Sequence, residues 1–189
     1  MKNYLLFSLT AFFLLIENSN SSIFPAKKTI FSEEGRASTI VYGPRKISKN
    51  DKLSLIISLH GYSSNPMQQR FVLPLNYLSG KRKTVVAVPS GIKDKKGKRF
   101  WSGLNCCDGH AAKVPNDVSF LRSVINDIKK EYPIDENKVF VAGFSNGGFM
   151  AYRMACEASD IVSGIVSFAG SGPMESQECE PIKPLKVLH

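Results

Sequence analysis

Histidine is scarce in this chain. Three occur among 189 residues, His60, His110 and His189, so chemistry that needs an imidazole base has few candidates. Long apolar runs are absent beyond residue 16, which excludes a later membrane-spanning helix, since such a helix needs roughly 20 apolar residues. Internal repeats are absent too, and with them the solenoid architectures. Cysteines in C-x-x-C spacing are missing, so the neighbourhood of His110, Cys106 and Cys107 is not read as a metal site. The basic stretches KDKKGKR (Lys93 to Arg99) and GKRK (Gly80 to Lys83) carry no interleaved aromatics, which a groove for single-stranded nucleic acid would need. A formal charge of +9 can draw a protein to nucleic acid, anionic lipid or acidic polysaccharide. Its scatter over turns predicts instead a solvated loop surface and no nucleic-acid partner.

What is present is the composition of one ordinary globular domain, 43% hydrophobic and 22% charged. Residues 1–21 have the layout of a secretory signal: Lys2 at the start, an apolar run from Tyr4 to Ile16, then small residues suited to cleavage. The domain is therefore expected over 22–189, exported to the extracellular space or periplasm, with no membrane contact in the mature form. Four cysteines fit an oxidising compartment. Adjacent Cys106 and Cys107 are not expected to pair with each other; each is expected to join one of Cys156 and Cys179, in an order left open.

Hydrophobic periodicity alternates along the chain. Ser38 to Tyr42, Leu53 to Leu59, Thr84 to Val88, Val139 to Ala142 and Gly164 to Phe168 read as strands, and Leu185 to His189 begins another. Leu53 to Leu59 (LSLIISL) is almost wholly apolar and is expected to be buried on both faces. Pro66 to Leu78 reads as a helix broken or kinked at Pro74. Pro115 to Tyr132 has helical spacing at Val118, Leu121, Ile125 and Ile128, with Asn116 or Asp117 as its cap, and Gly147 to Glu157 is a further helix. Ile92 to Val114 reads as a long surface loop of functional length. The pattern is that of an α/β domain around a mainly parallel sheet with helices on both faces.

Gly143-Phe144-Ser145-Asn146-Gly147 matches G-x-S-x-G with a buried strand before it and a helical pattern after it. Held on a tight strand-to-helix turn, a serine is exposed as a nucleophile, and glycines at Gly143 and Gly147 let strand and helix approach closely. The backbone N–H of Asn146 then faces a developing oxyanion at the helix start. A second oxyanion donor is expected after an earlier central strand. LHGYSSN, Leu59 to Asn65, fits, through the backbone N–H of Tyr62. His60 is read as a structural residue that ties this loop down.

The combination of LHGYSSN, VAVPSG (Val86 to Gly91), W-x-x-x-x-CC (Trp101 to Cys107), NDVSFL (Asn116 to Leu121) and VAGFSNGGFMAYRMACE (Val141 to Glu157) resembles the secreted polyhydroxybutyrate depolymerase and feruloyl-esterase family of α/β hydrolases. The resemblance implies an α/β-hydrolase fold and a secreted serine hydrolase of carboxylic esters, polyhydroxybutyrate depolymerase-like or feruloyl/acetylxylan esterase-like. Ser145 would be its nucleophile, Tyr62 and Asn146 its oxyanion amides, and its substrate an ester, either polymeric or small. No cofactor and no metal are implied. Asn116 departs from the family, whose members commonly carry Asp there. Trp101 is a candidate for the substrate entrance and equally for a buried anchor of the long loop.

In such hydrolases the chain order is nucleophile, acid, histidine. After Ser145 the only histidine is His189, the last residue, and KPLKVLH resembles the start of the strand that leads to the triad acid. The expectation is therefore a chain without its closing strands, triad acid and triad histidine, a piece of a longer enzyme. A non-standard triad drawn from His110, Asp108 and Asp117 is the lesser alternative, as is a catalytically inactive secreted binding protein on a degenerate hydrolase fold.

Overall fold

The computed structural model describes residues 26–30, 35–48, 50–103, 106–107, 116–173 and 179–189. The expected signal segment, Asp108 and His110 lie outside them. Among the described residues one sheet has seven strands in the order β1-β2-β4-β3-β7-β8-β9. These are β1 (Ala26–Ile30), β2 (Thr39–Gly43), β3 (Leu53–Leu59), β4 (Thr84–Val88), β7 (Ile134–Phe144), β8 (Gly164–Phe168) and β9 (Lys186–Leu188). From β4 through β9 the pairings are parallel, while β2 runs antiparallel to both β1 and β4.

Period-two alternation divides the apolar residues between two faces. Leu53, Leu55, Ile57 and Leu59 of β3 join Val139 and Val141 of β7 in the main core, together with α3 (Asp117–Glu131) and α4 (Asn146–Glu157). The other face holds a smaller cluster of Ile40, Tyr42, Val86 and Val88, with Ile56 and Leu75 packed against it. Leu75 lies between α1 (Pro66–Val72) and α2 (Asn76–Lys81). That break falls at Pro74, whose ring and missing N–H cannot continue a helix.

Three expectations change. The strand read over Val139 to Ala142 begins at Ile134, because the polar run Asp135 to Lys138 hides its start. The long loop contains a hairpin, β5 (Ile92–Lys93) paired with β6 (Arg99–Phe100), too short to show periodicity. The cysteines pair differently: Cys106 with Cys107, and Cys156 with Cys179 across a Cα separation of 4.8 Å. The expected cross-pairing fails on distance. Cys106 lies beside Asn146 at the start of α4, and Cys156 is ten residues along the same helix, about 15 Å away at 1.5 Å per residue. Bridging needs Cα atoms within about 7 Å.

Asp117 is more than a first-turn helix charge. Asn116 caps α3, its side chain accepting from the Ser119 N–H at 3.0 Å, while Asp117 is buried, accepting from Arg36 Nη2 at 2.5 Å and from the Ser102 N–H at 2.6 Å. Arg36 lies over the Phe120 ring, 4.1 Å from its centroid. Burial raises the Asp117 carboxyl above the usual range, against the pull of Arg36 and the Ser102 amide. Arg36→Met would strand that carboxylate without its cation. The expected cost is about 3–5 kcal/mol, as for breaking a buried ion pair from one side, read as a shift in the urea unfolding midpoint.

Candidate functional site

Ser145 sits between the end of β7 and the start of α4 with φ 51° and ψ −120°. Positive φ at a residue with a side chain is strained by about 1–3 kcal/mol and persists only where the surroundings enforce it. Here they do. The Ser145 N–H donates to the Phe168 carbonyl at 2.7 Å, and the Ser145 carbonyl accepts from Gly148 at 2.7 Å. A Cβ on Gly143 would lie 1.9 Å from the Gly147 carbonyl oxygen, and one on Gly147 would lie 2.4 Å from that of Leu59. Both glycines exist because backbone meets backbone there. Ser145 is half-buried, reachable at the carboxyl ends of parallel strands, where open α/β sheets hold their ligands.

The loop after β3 closes on the same point. A Cβ on Gly61 would be 3.5 Å from Ser145 Cβ, so His60, Gly61 and Tyr62 run directly past Ser145. His60 is fully buried. Its Nδ1 lies 2.8 Å from the Gly61 carbonyl, and its Nε2 accepts from the Gly91 N–H at 2.9 Å, which fixes the tautomer with the proton on Nδ1. Burial lowers its pKa to about 4. The ring is thus neutral with its lone pair engaged, and its structural reading holds. The Tyr62 hydroxyl donates to Asp94 Oδ2 at 2.7 Å, and the Ser63 N–H donates to the Arg99 carbonyl at 2.8 Å. The β5–β6 hairpin therefore braces this loop.

Asn146, singled out in the sequence for its backbone amide, is held by its side chain. Its Oδ1 accepts from the Trp101 N–H at 2.7 Å and its Nδ2 donates to the Trp101 carbonyl at 2.8 Å. Nothing in sequence spacing signals this pairing across 45 positions. Trp101 is 0% exposed, stacks on Phe120 and donates from Nε1 to the His60 carbonyl at 3.0 Å. It does not line a substrate entrance. Fully buried and bonded through its indole N–H, it is the buried anchor of its loop.

Among the described residues no side chain hydrogen-bonds the Ser145 hydroxyl. Asp117 is committed to Arg36 and Ser102. His189 Nδ1 lies 3.1 Å from the Tyr152 hydroxyl, and Tyr152 is seven residues along α4, about 10 Å beyond Ser145. His189 is therefore not placed as its base.

The His60 pKa predicts a pH dependence. An unfolded chain protonates this imidazole near 6.5, the folded one near 4. Between those values the unfolded state binds the extra proton, so stability is full above about pH 6.5 and falls as pH drops toward 4. The loss from this residue is about 3 kcal/mol at the lower limit. Urea unfolding of the unsubstituted protein and of His60→Gln at pH 7 and pH 4.5 checks it. The substituted protein is expected to show the smaller acid-induced loss.

The family model of phospholipases and carboxylesterases matches residues 46–182. The chain belongs to that phospholipase/carboxylesterase family. This family member is 30% identical over 159 residues to a bifunctional acetylxylan esterase/xylanase of Neocallimastix patriciarum, an alignment covering 83% of the chain and 21% of that protein. It is 29% identical over 132 residues to a poly(3-hydroxybutyrate) depolymerase of Ralstonia pickettii, covering 66% of the chain and 26% of that protein. The fold is also that of an acetyl xylan esterase from Aspergillus awamori, with a TM-score of 0.61 at 16% identity over 84% of the chain and 57% of that structure. The family member thus spans about a fifth to a quarter of these two curated relatives. The resemblance read from the serine turn and the double-cysteine motif holds at the level of family and of α/β-hydrolase fold.

Proposed function

We propose that the chain carries the nucleophile of an exported serine esterase that removes acyl groups from a polysaccharide. The observation that carries this reading is the enforced positive φ of Ser145, with Gly61 of the LHGYSSN loop packed against it. Ser145 Oγ attacks the ester carbonyl, and the oxyanion is held between the backbone N–H groups of Asn146 and Tyr62. The alcohol departs and water releases the acyl group from the serine. The base and acid for the proton transfers are not among the described residues. Phe144 and Phe168, paired across β7 and β8 and 38% and 45% exposed, supply an apolar wall for the acyl group beside Ser145. Export is supported by two disulfides, and among the described residues no helix is long and apolar enough to cross a membrane.

The test is a substrate panel on the enzyme as its native source produces it: acetylated xylan, methyl ferulate and hydroxybutyrate oligomers. Release of acetate or ferulate is expected. Hydrolysis confined to hydroxybutyrate would move the reading to a polyester depolymerase. Absence of any hydrolysis, together with no covalent labelling of Ser145, would leave a binding protein on a hydrolase fold.

A further inference from the structure

The basic stretch from Lys93 to Arg99 is not a diffuse solvated loop. It forms the hairpin of β5 and β6, closed at Gly97 with φ 73° and by the Asp94 N–H donating to the Lys98 carbonyl at 2.8 Å. Lys93, Lys95, Lys96 and Lys98 are exposed, whereas Asp94, the one carboxylate of the stretch, is buried. Asp94 accepts from the Tyr62 hydroxyl at 2.7 Å and from the Lys96 and Lys98 N–H groups at 2.8 Å. The negative charge is thus spent on shaping the hairpin and holding the loop beside Ser145. The four positive charges face solvent, and none forms an ion pair among the described residues.

From these facts we infer that the hairpin is a docking element for an anionic polysaccharide, one bearing uronate carboxylates along the same chain that presents the ester to Ser145. The inference rests on the esterase reading above and narrows its substrate. Four exposed lysines on a backbone already fixed by the hairpin attract closely spaced carboxylates without the cost of ordering a flexible loop. The hairpin is tied through Asp94 and Arg99 to Tyr62 and Ser63, the continuation of the loop whose Gly61 lies against Ser145, so a chain docked on it is held on the Ser145 side of the sheet. Single-stranded nucleic acid is disfavoured because Phe100 and Trp101, the aromatics next to the lysines, are 0% exposed and offer no ring for base stacking. An anionic membrane is disfavoured because the hairpin exposes no large apolar side chain to insert.

The test is affinity electrophoresis of the Ser145→Ala enzyme through gels holding polygalacturonate or neutral dextran, at low and high salt. Retardation by polygalacturonate alone, weakened by salt, is expected. Replacing Lys93, Lys95, Lys96 and Lys98 by Gln should raise the apparent Kd about tenfold or more. The charge-matched replacement of Lys129, Lys130, Lys138 and Lys186 should leave it within about twofold. Equal weakening by both quadruple variants would reduce the effect to net charge and overturn the proposal. Tighter binding of double-stranded DNA or of anionic phosphatidylserine vesicles than of polygalacturonate would overturn it too. Either result leaves the esterase reading standing. Failure of the unsubstituted enzyme to hydrolyse any ester overturns that reading instead, and the substrate role of the hairpin with it.

Discussion

Ser145→Ala is expected to lower kcat/KM for ester hydrolysis by about 10³-fold or more while leaving the fold intact, since removing the nucleophile of such a site leaves only oxyanion and binding terms. The enzyme to assay is the one its native source produces, because no side chain among the described residues hydrogen-bonds the Ser145 hydroxyl. Alanine keeps the backbone course and deletes only Oγ. Positive φ costs alanine about what it costs serine, so the thermal midpoint should move little. A fall in activity without a fall in stability would separate a chemical role from a structural one. Retained hydrolysis would remove Ser145 from the mechanism.

Gly143→Ala has the largest expected structural effect. Its Cβ would lie 1.9 Å from the carbonyl oxygen of Gly147 and 2.2 Å from the carbonyl carbon. Both are backbone atoms, so no rotamer change relieves the overlap. The turn must open, pulling the Ser145 N–H from the Phe168 carbonyl and α4 from the end of β3. The expected cost is about 3 kcal/mol or more, at the upper end of overpacking substitutions, with loss of ester hydrolysis as Ser145 leaves its place. Gly97→Ala is the contrast. Gly97 has φ 73° but open space around it, so only the backbone conformation is penalised, by about 1 kcal/mol. Urea midpoints of the two variants measure the difference. Gly143 has no positive φ, so a cost there no larger than that at Gly97 would mean that the turn yields to the added methyl and that the close approach of strand and helix does not dictate glycine at 143.

The strands Leu53–Leu59, Thr84–Val88 and Gly164–Phe168 were legible because a buried strand needs a continuous apolar run, and that demand is local. The same holds for the break at Pro74 and for the serine turn, where two glycines and a serine sit within five residues. What stayed hidden was set by contacts between distant positions. Asn146 grips Trp101, and Arg36 meets Asp117 from 81 residues away. No periodicity encodes either pair. Trp101 illustrates the limit: an indole in a long loop suits a substrate entrance or an anchor equally, until its N–H is found bonded to the His60 carbonyl and its ring buried. The cysteines illustrate another. Counting them suggested two cross-links between distant segments, but the length of α4 separates Cys106 from Cys156. The basic stretch at Lys93 was read as surface because its charges alternate with turn residues; the inward-facing Asp94 is what turns it into a defined hairpin.

One measurement bears most directly on Ser145 as the nucleophile of an esterase. The enzyme from its native source is treated with a fluorophosphonate, digested, and the adduct located by peptide mass spectrometry, with and without prior incubation with an ester substrate. A single adduct on Ser145, reduced by substrate, is the predicted result. An adduct on another residue, or none on Ser145 in a preparation that hydrolyses esters, would contradict it.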